Sequence, residues 1–238
     1  MKQISLAFYA PGASLPINYH HEVQSLIYAL LRDTNPKCVQ YHDGGAGLRQ
    51  YKLFTFSSLR GRNKIANKRI TFEEMIYLDV RSVNDYFCDS LVAALEENPS
   101  PLICGQKLNV RFADSKERII SGGRLNIKML SPLEVHITGA DNHSYYYTPL
   151  DTDFSNQMNA NFQRKWAAYT GNPPVGGIDI AVVNVGARDK YVTTYKGIHI
   201  SGWRGEYTLA GNPEHLNFLY YCGLGARNSS GFGMFEVI

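Results

Sequence analysis

Charge is scarce and nearly balanced in this sequence. Asp, Glu, Lys and Arg make up 19% of 238 residues, and 24 cations against 21 anions leave a formal net charge of +3 with His neutral. An average soluble domain carries ~25% charged residues, so a polybasic tail protein is excluded. A nucleic-acid partner is neither required nor excluded, because the placement of charge matters more than its sum. Long apolar runs are missing too. No stretch approaches the ~20 residues of a membrane span, so no membrane partner is expected. The four cysteines, Cys38, Cys88, Cys104 and Cys222, form no CxxC pair. Neither a zinc site nor a disulfide framework is signalled, and no metal or other cofactor is expected. Reduced thiols in a cytoplasmic protein are the expectation. The stretch after Met1-Lys2 could pass for a short signal peptide, but its apolar run is minimal and Ile4, Leu6 and Phe8 alternate as in a half-buried strand, which is the expected reading.

Apolar residues are plentiful at 44%, enough for one large domain or two domains of ~100–150 residues, each with its own core. The first half reads strand, helix, strand, strand, helix, strand. Ile4, Leu6 and Phe8 open it. Val23, Leu26, Ile27, Leu30 and Leu31 then mark a helix over roughly His20–Arg32, ended by Asn35-Pro36. Lys52–Ser57 and Met75–Val80 read as strands, separated by a polar, basic loop over Ser58–Arg69. Ser82 with Asp85 three residues on predicts the N-cap of a second helix, stopped by Pro99. Leu108, Val110 and Phe112 alternate in a closing strand. This β-α-β-β-α-β order is the ferredoxin-like split motif.

The second half repeats the order more loosely. Leu125–Thr138 and Ser144–Thr148 are strand-like. Phe154, Met158, Phe162 and Trp166 stripe a helix over roughly Thr152–Thr170, with Gly171 as its C′ residue. Ile178–Val185, Tyr191–Tyr195 and Ile198–Leu209 are β-rich, Pro213–Tyr221 reads as a short helix with Pro at its first position, and Phe232–Val237 is a last strand. The expected fold class is therefore α+β, tandem ferredoxin-like (RRM-like) domains, 1–120 and 121–238, divided near Gly122-Gly123.

The most specific feature is Gly223-Leu224-Gly225-Ala226-Arg227-Asn228-Ser229-Ser230-Gly231-Phe232-Gly233. Glycine admits positive φ and close backbone approach. Successive N–H groups in such a loop make an anion nest, and Arg227 adds a permanent cation. The bland alternative is a glycine turn into an edge strand. The spacing is not the dinucleotide-binding GxGxxG, and no helix follows.

Followed by Met234, this loop resembles the C-terminal signature of the CRISPR repeat-processing endoribonucleases, the sixth family of CRISPR-associated proteins. The resemblance runs along nearly the whole chain. It includes Leu15–Leu31 with Gln24-Ser25-Leu26-Ile27-Tyr28, Lys52–Ser57, Leu130-Ser131-Pro132-Leu133-Glu134-Val135, Trp203-Arg204-Gly205 and Gly211–Leu219. It implies tandem ferredoxin-like domains and cleavage of CRISPR precursor RNA within each repeat without a metal. The partner it implies is CRISPR repeat RNA (precursor crRNA); membership of a multi-subunit CRISPR effector complex, and whether the chain is a monomer or homodimer, are left open by the sequence. A catalytically inactive repeat-RNA binder or effector-complex subunit is the alternative.

Many members of that family carry a His after the first helix, a Tyr within it and a Lys at the second strand. The matching residues are His42, Tyr28 and Lys52. Histidine titrates near neutrality and suits proton transfer at a ribose hydroxyl. At 100° per residue Tyr28 sits well off the centre of the apolar stripe, flanking the core. Lys52 is placed to stabilise charge building on a phosphate. The glycine-containing segment Asp43–Tyr51 is longer than the family resemblance leads one to expect and bears on where His42 falls; His20 and His21 are the alternative imidazoles. For RNA binding, Arg60, Arg62, Lys64, Lys68 and Arg69 crowd one segment, and Gly223, Gly225, Arg227, Asn228, Ser229, Gly231 and Gly233 form the glycine loop. Arg188, Lys190, Lys196 and Arg204 are a weaker second group.

Overall fold

The strand Lys2–Tyr9 alternates as the sequence requires: Ile4, Leu6 and Phe8 are buried to 4% exposure or less. The computed structural model that shows this describes residues 1–34, 51–139 and 143–238. Two compact units emerge among these, one of residues 1–34 and 58–118 and the other of residues 51–57, 119–139 and 143–238.

In the first unit, Lys2–Tyr9 lies between two antiparallel partners, Met75–Ser82 on one side and Asn109–Lys116 on the other. Ile4, Leu6 and Phe8 stand opposite Val80, Leu78 and Ile76. Helices α1 (His20–Thr34) and α2 (Asp85–Glu97) pack together, burying Val23, Leu26, Ile27, Leu30 and Leu31 from one and Phe87, Leu91, Ala94 and Leu95 from the other. The N-cap of α2 is Asn84, not Ser82: the Asn84 side chain accepts from the Tyr86 N–H at 3.0 Å, while Ser82 still belongs to the preceding strand. Both residue types cap well, and the sheet, which extends to Ser82, decides between them.

The basic segment expected as a loop contains a hairpin. Asn63–Ala66 pairs with Arg69–Phe72 across Asn67 and Lys68, whose φ of 51° and 58° are those of a type I′ turn. Only Ile70 and Phe72 of this ribbon are buried, so its alternation is confined to one strand.

The second unit shows the complete split β-α-β order. Its sheet runs Ile178–Asn184, Glu206–Gly211, Arg124–Met129, Phe235–Val237, every neighbour antiparallel. With α3 (Phe154–Thr170) after the first strand in sequence and α4 (Pro213–Cys222) after the third, this is a ferredoxin-like sheet. The stripe Phe154, Met158, Phe162 and Trp166 is buried, and Gly171 ends α3 at φ 78°. Asn212 caps α4 through the Glu214 N–H at 2.9 Å, with Pro213 in the first turn. Two hairpins are inserted, His136–Thr138 with Ser144–Tyr146 and Lys190–Tyr195 with Ile198–Trp203. The run Ile198–Leu209 divides at Gly205, where φ is 101° and a Cβ would stand 2.6 Å from the Asn184 carbonyl oxygen. Among the described residues no helix is long and apolar enough to cross a membrane. Cys88, Cys104 and Cys222 are free; burial pushes the thiols of Cys88 and Cys222 up to about 12 and about 11, so both are unreactive.

Candidate functional site

The glycine loop is built around a cation. Lys165 of α3 is 2% exposed, and its ammonium donates to the Gly223 carbonyl at 2.6 Å, the Gly225 carbonyl at 3.0 Å and Asn228 Oδ1 at 3.1 Å. Burial holds this lysine below its usual range. Asn228 Nδ2 donates in turn to the Leu224 and Phe232 carbonyls at 2.7 and 3.0 Å, tying the two arms of the loop together. The N–H groups of Leu224, Ala226 and Gly233 go to the carbonyls of Gly233, Glu134 and Pro132. Two glycines are dictated by close approach: a Cβ at Gly225 would lie 2.2 Å from the Glu134 carbonyl oxygen, and one at Gly233 would lie 1.9 Å from that of Leu224. Gly223, Gly225, Asn228, Gly231 and Gly233 are buried, while Arg227 and Ser229 are the half-exposed members of the group.

Beside the loop lies a carboxylate that takes no solvent. Glu134 is 0% exposed; its Oε1 is 2.6 Å from His136 Nδ1 and its Oε2 is 4.0 Å from Arg227 Nε. Residues two apart in extended chain share a face, which is how Glu134 reaches His136. Arg227 arrives on the glycine loop, where Ala226 is bonded to the Glu134 carbonyl at 2.8 Å. Tyr146 stands across the hairpin from His136, with ring centroids 5.7 Å apart.

Tyr28 is half-buried on α1, off the buried stripe. Lys52 is half-buried and its carbonyl accepts from Phe54 N–H at 2.8 Å, at the entrance to the strand Phe54–Phe56. His42 and most of the Asp43–Tyr51 segment lie outside the described residues. Of the alternative histidines, His20 is 1% exposed with its ring edge-on to Tyr19, and His21 is half-buried with Nδ1 3.5 Å from Ser25 Oγ.

The basic segment separates into two kinds of cation. Arg60 is bound to Asp79 at 2.6 Å, and Arg69 donates to the Ser14 hydroxyl at 2.9 Å and to the Ser14 carbonyl. Arg62, Lys64 and Lys68 are exposed on the hairpin. In the second group, Arg204 lies over the Tyr191 ring at 5.0 Å and Lys190 and Lys196 over Trp203 and Tyr195 at 6.0 Å each, while Arg188 is exposed.

Lys165, Glu134 and His136 are not singled out by sequence pattern. Lys165 follows Phe162 by three positions, on the buried face of its helix. Glu134 and His136 are the only ionisable residues of an otherwise apolar run, Leu133–Ile137.

Residues 14–114 match the model of CRISPR-associated protein Cas6, N-terminal, and residues 114–237 match CRISPR associated protein Cas6, C-terminal. A CRISPR-associated endoribonuclease Cas6 of Methanocaldococcus jannaschii is 28% identical over 227 residues, covering 92% of this chain and 86% of that one. The corresponding Pyrococcus furiosus enzyme is 24% identical, covering 94% and 83%. A solved Cas6-related protein of Pyrococcus furiosus superposes with a TM-score of 0.87 at 20% identity over 99% of this chain and 98% of the other, the same two-domain ferredoxin-like fold. The chain belongs to the Cas6 family of CRISPR-associated proteins.

Proposed function

We propose that this protein is the endoribonuclease that cuts CRISPR precursor RNA within its repeats to release guide RNAs. The observation that carries the reading is the match of both halves, residues 14–114 and 114–237, to the Cas6 family, whose similar members named above are endoribonucleases. The division of labour follows the chain: residues 1–120 supply the reacting groups and residues 121–238 the glycine-loop side of RNA binding.

In the proposed mechanism a ribose 2′-OH attacks the adjacent phosphate in line. The nucleophile belongs to the substrate, so no metal-activated water is needed. The proton leaves O2′ as the new O–P bond forms and the 5′ oxygen departs carrying a proton, giving a 2′,3′-cyclic phosphate and a 5′-OH. His42 is the general base or acid, Tyr28 orients the reacting groups, and Lys52 stabilises charge on the phosphorane. The exposed hairpin cations Arg62, Lys64 and Lys68 contribute phosphate contacts, which set affinity and its salt dependence. Selection of the repeat rests on base edges or hairpin shape.

One assay tests the chemistry. A 2′-deoxy nucleotide just 5′ of the scissile bond is expected to abolish cleavage, and EDTA is expected to leave it intact; cleavage that EDTA stops overturns the mechanism. His42→Ala is expected to lose cleavage while keeping RNA affinity. A wild-type protein that binds repeat RNA and never cuts it is instead a binding protein.

A further inference from the structure

We propose that His136 and Arg227 together hold a phosphate of the nucleic-acid backbone, and that the buried carboxylate of Glu134 positions both. The proposal rests on the RNA-processing reading and deepens it by naming a backbone subsite on the second unit.

The carboxylate is the anchor. At 0% exposure Glu134 is an anion that has to be compensated, and its two oxygens face two different groups, His136 Nδ1 at 2.6 Å and Arg227 Nε at 4.0 Å. The short contact makes Nδ1 the protonated nitrogen that donates to Oε1, as the hydrogen-bond geometry assigns it. Nε2, on the opposite edge of the ring, therefore faces away from the carboxylate. The guanidinium likewise presents Nε to Glu134, leaving its terminal N–H fork as the end available to a ligand. Glu134 Oε2, Arg227 Nε and the Tyr146 hydroxyl are buried and make no hydrogen bond among the described residues. A buried carboxylate oxygen and a buried guanidinium N–H that face each other at 4.0 Å without a hydrogen bond are costly in a site that does nothing, because each forfeits its hydration for a long ion pair alone.

The backbone carries a second, independent signal. Arg227 sits at φ 55°, in the left-handed region, within a loop whose Gly223, Gly225, Gly231 and Gly233 all have positive φ. Glycine is the residue of least strain at such a position. A loop rich in glycine nevertheless places arginine there, and retained strain of this kind belongs with side chains that act. With Nδ1–H held by Glu134, Nε2 can donate to a phosphate oxygen only as part of an imidazolium, so the proposed site is a guanidinium fork beside an imidazolium, matching neighbouring oxygens of one phosphate. Both side chains have limited exposure, 24% for Arg227 and 14% for His136, which suits a group reached by a ligand and braced from behind.

A carboxylate–imidazole pair is also what proton transfer uses, so the test has to separate holding from chemistry. The probe is an abasic deoxyribose-phosphate oligomer, which has neither a base to read nor a 2′-OH to react. Binding is followed by anisotropy across salt concentrations and by the His136 imidazole resonances in 15N–1H spectra of the full chain. The expected result is a shifted His136 Nε2 resonance in the wild type and a log K against log salt slope shallower by about 0.7 in His136→Gln and in Arg227→Gln. Arg227→Lys is expected to restore the slope but not the full affinity. Glu134→Gln is expected to weaken binding at least threefold, and Arg227→Lys and His136→Gln keep the test open should that variant fail to fold. Unchanged slopes together with an unmoved His136 resonance overturn the proposal. So does a His136→Gln protein that stops cutting repeat RNA while its slope stays at the wild-type value, because His136 would then serve proton transfer. If the wild type fails to cut repeat RNA but the oligomer binds through His136 and Arg227, the processing reading falls and the subsite stands.

Discussion

Replacing Lys165 with methionine removes the cation around which the glycine loop is folded while keeping the apolar stem. The ammonium makes three hydrogen bonds, to the Gly223 and Gly225 carbonyls and to Asn228 Oδ1, all inside the core. Hydrogen bonds to a charged group contribute about 1.5–3 kcal/mol each, and a buried acceptor left without its donor costs about 1–3 kcal/mol. Against this, the mutation relieves the desolvation of a buried ammonium, itself several kcal/mol. With three neutral acceptors left without a donor against the desolvation of one ammonium relieved, the net is about 3–5 kcal/mol of destabilisation, a large share of the ~5–15 kcal/mol that holds a protein folded. At roughly 3 °C per kcal/mol for a chain of this size the melting temperature is expected to fall by about 10–15 °C. Thermal melts followed by circular dichroism measure the loss. Hydrogen exchange locates it, with the Leu224, Ala226 and Gly233 amides losing protection first because they belong to the loop that the ammonium holds. A Lys165→Met protein that melts within about 2 °C of the wild type, with those amides still protected, refutes the claim that the ammonium organises the loop.

Gly233→Ala is expected to lower stability by about 2–4 kcal/mol, since φ is 78° and the new methyl would meet the Leu224 carbonyl at 1.9 Å; denaturant midpoints measure this. Replacing Arg62, Lys64 and Lys68 together with alanine is expected to leave the melting temperature within a few degrees. The same triple variant is expected to flatten the salt dependence of RNA binding, the log–log slope falling by about 0.7–0.9 for each phosphate that is no longer neutralised. Burial holds the His215 imidazole, packed 4.5 Å from Trp166 and 4.9 Å from Phe162 between ring centroids, below its usual range. The unfolded chain then binds more protons than the folded one just below the unfolded value of about 6.5. Stability present above that pH is therefore lost as the pH falls through the window beneath it. His215→Phe is expected to remove this part of the acid destabilisation in melts run from about pH 7 to about pH 5, and an unchanged pH profile contradicts the assignment.

Much of the fold is legible in sequence because it depends on near neighbours. Phe154, Met158, Phe162 and Trp166 stripe α3 at helical spacing, Gly171 ends it in the left-handed conformation, and Ile4, Leu6 and Phe8 alternate into the core. The departures are equally specific. Asn67-Lys68 adopts the turn more familiar from Asn-Gly, so a hairpin stands where the pattern suggests a loop. Ser82 has the spacing of a cap, but its strand reaches far enough to pass the cap to Asn84. In the basic segment, Arg60 and Arg69 look the same in sequence as Arg62 and Lys64. Asp79 and Ser14, brought from other strands, bind the first two, although all four side chains are exposed.

The sequence by itself determined the two strand-and-helix orders and the glycine signature with its arginine, because apolar period and glycine spacing act over a few residues. Only the tertiary structure decided which charges are buried and what they hold. Lys165 and the loop it organises are 58 to 63 positions apart, and Glu134 meets Arg227 only after the loop folds back beside it. A buried charge is tolerated where distant groups converge to satisfy it. That convergence is a property of the folded chain, written in no local pattern.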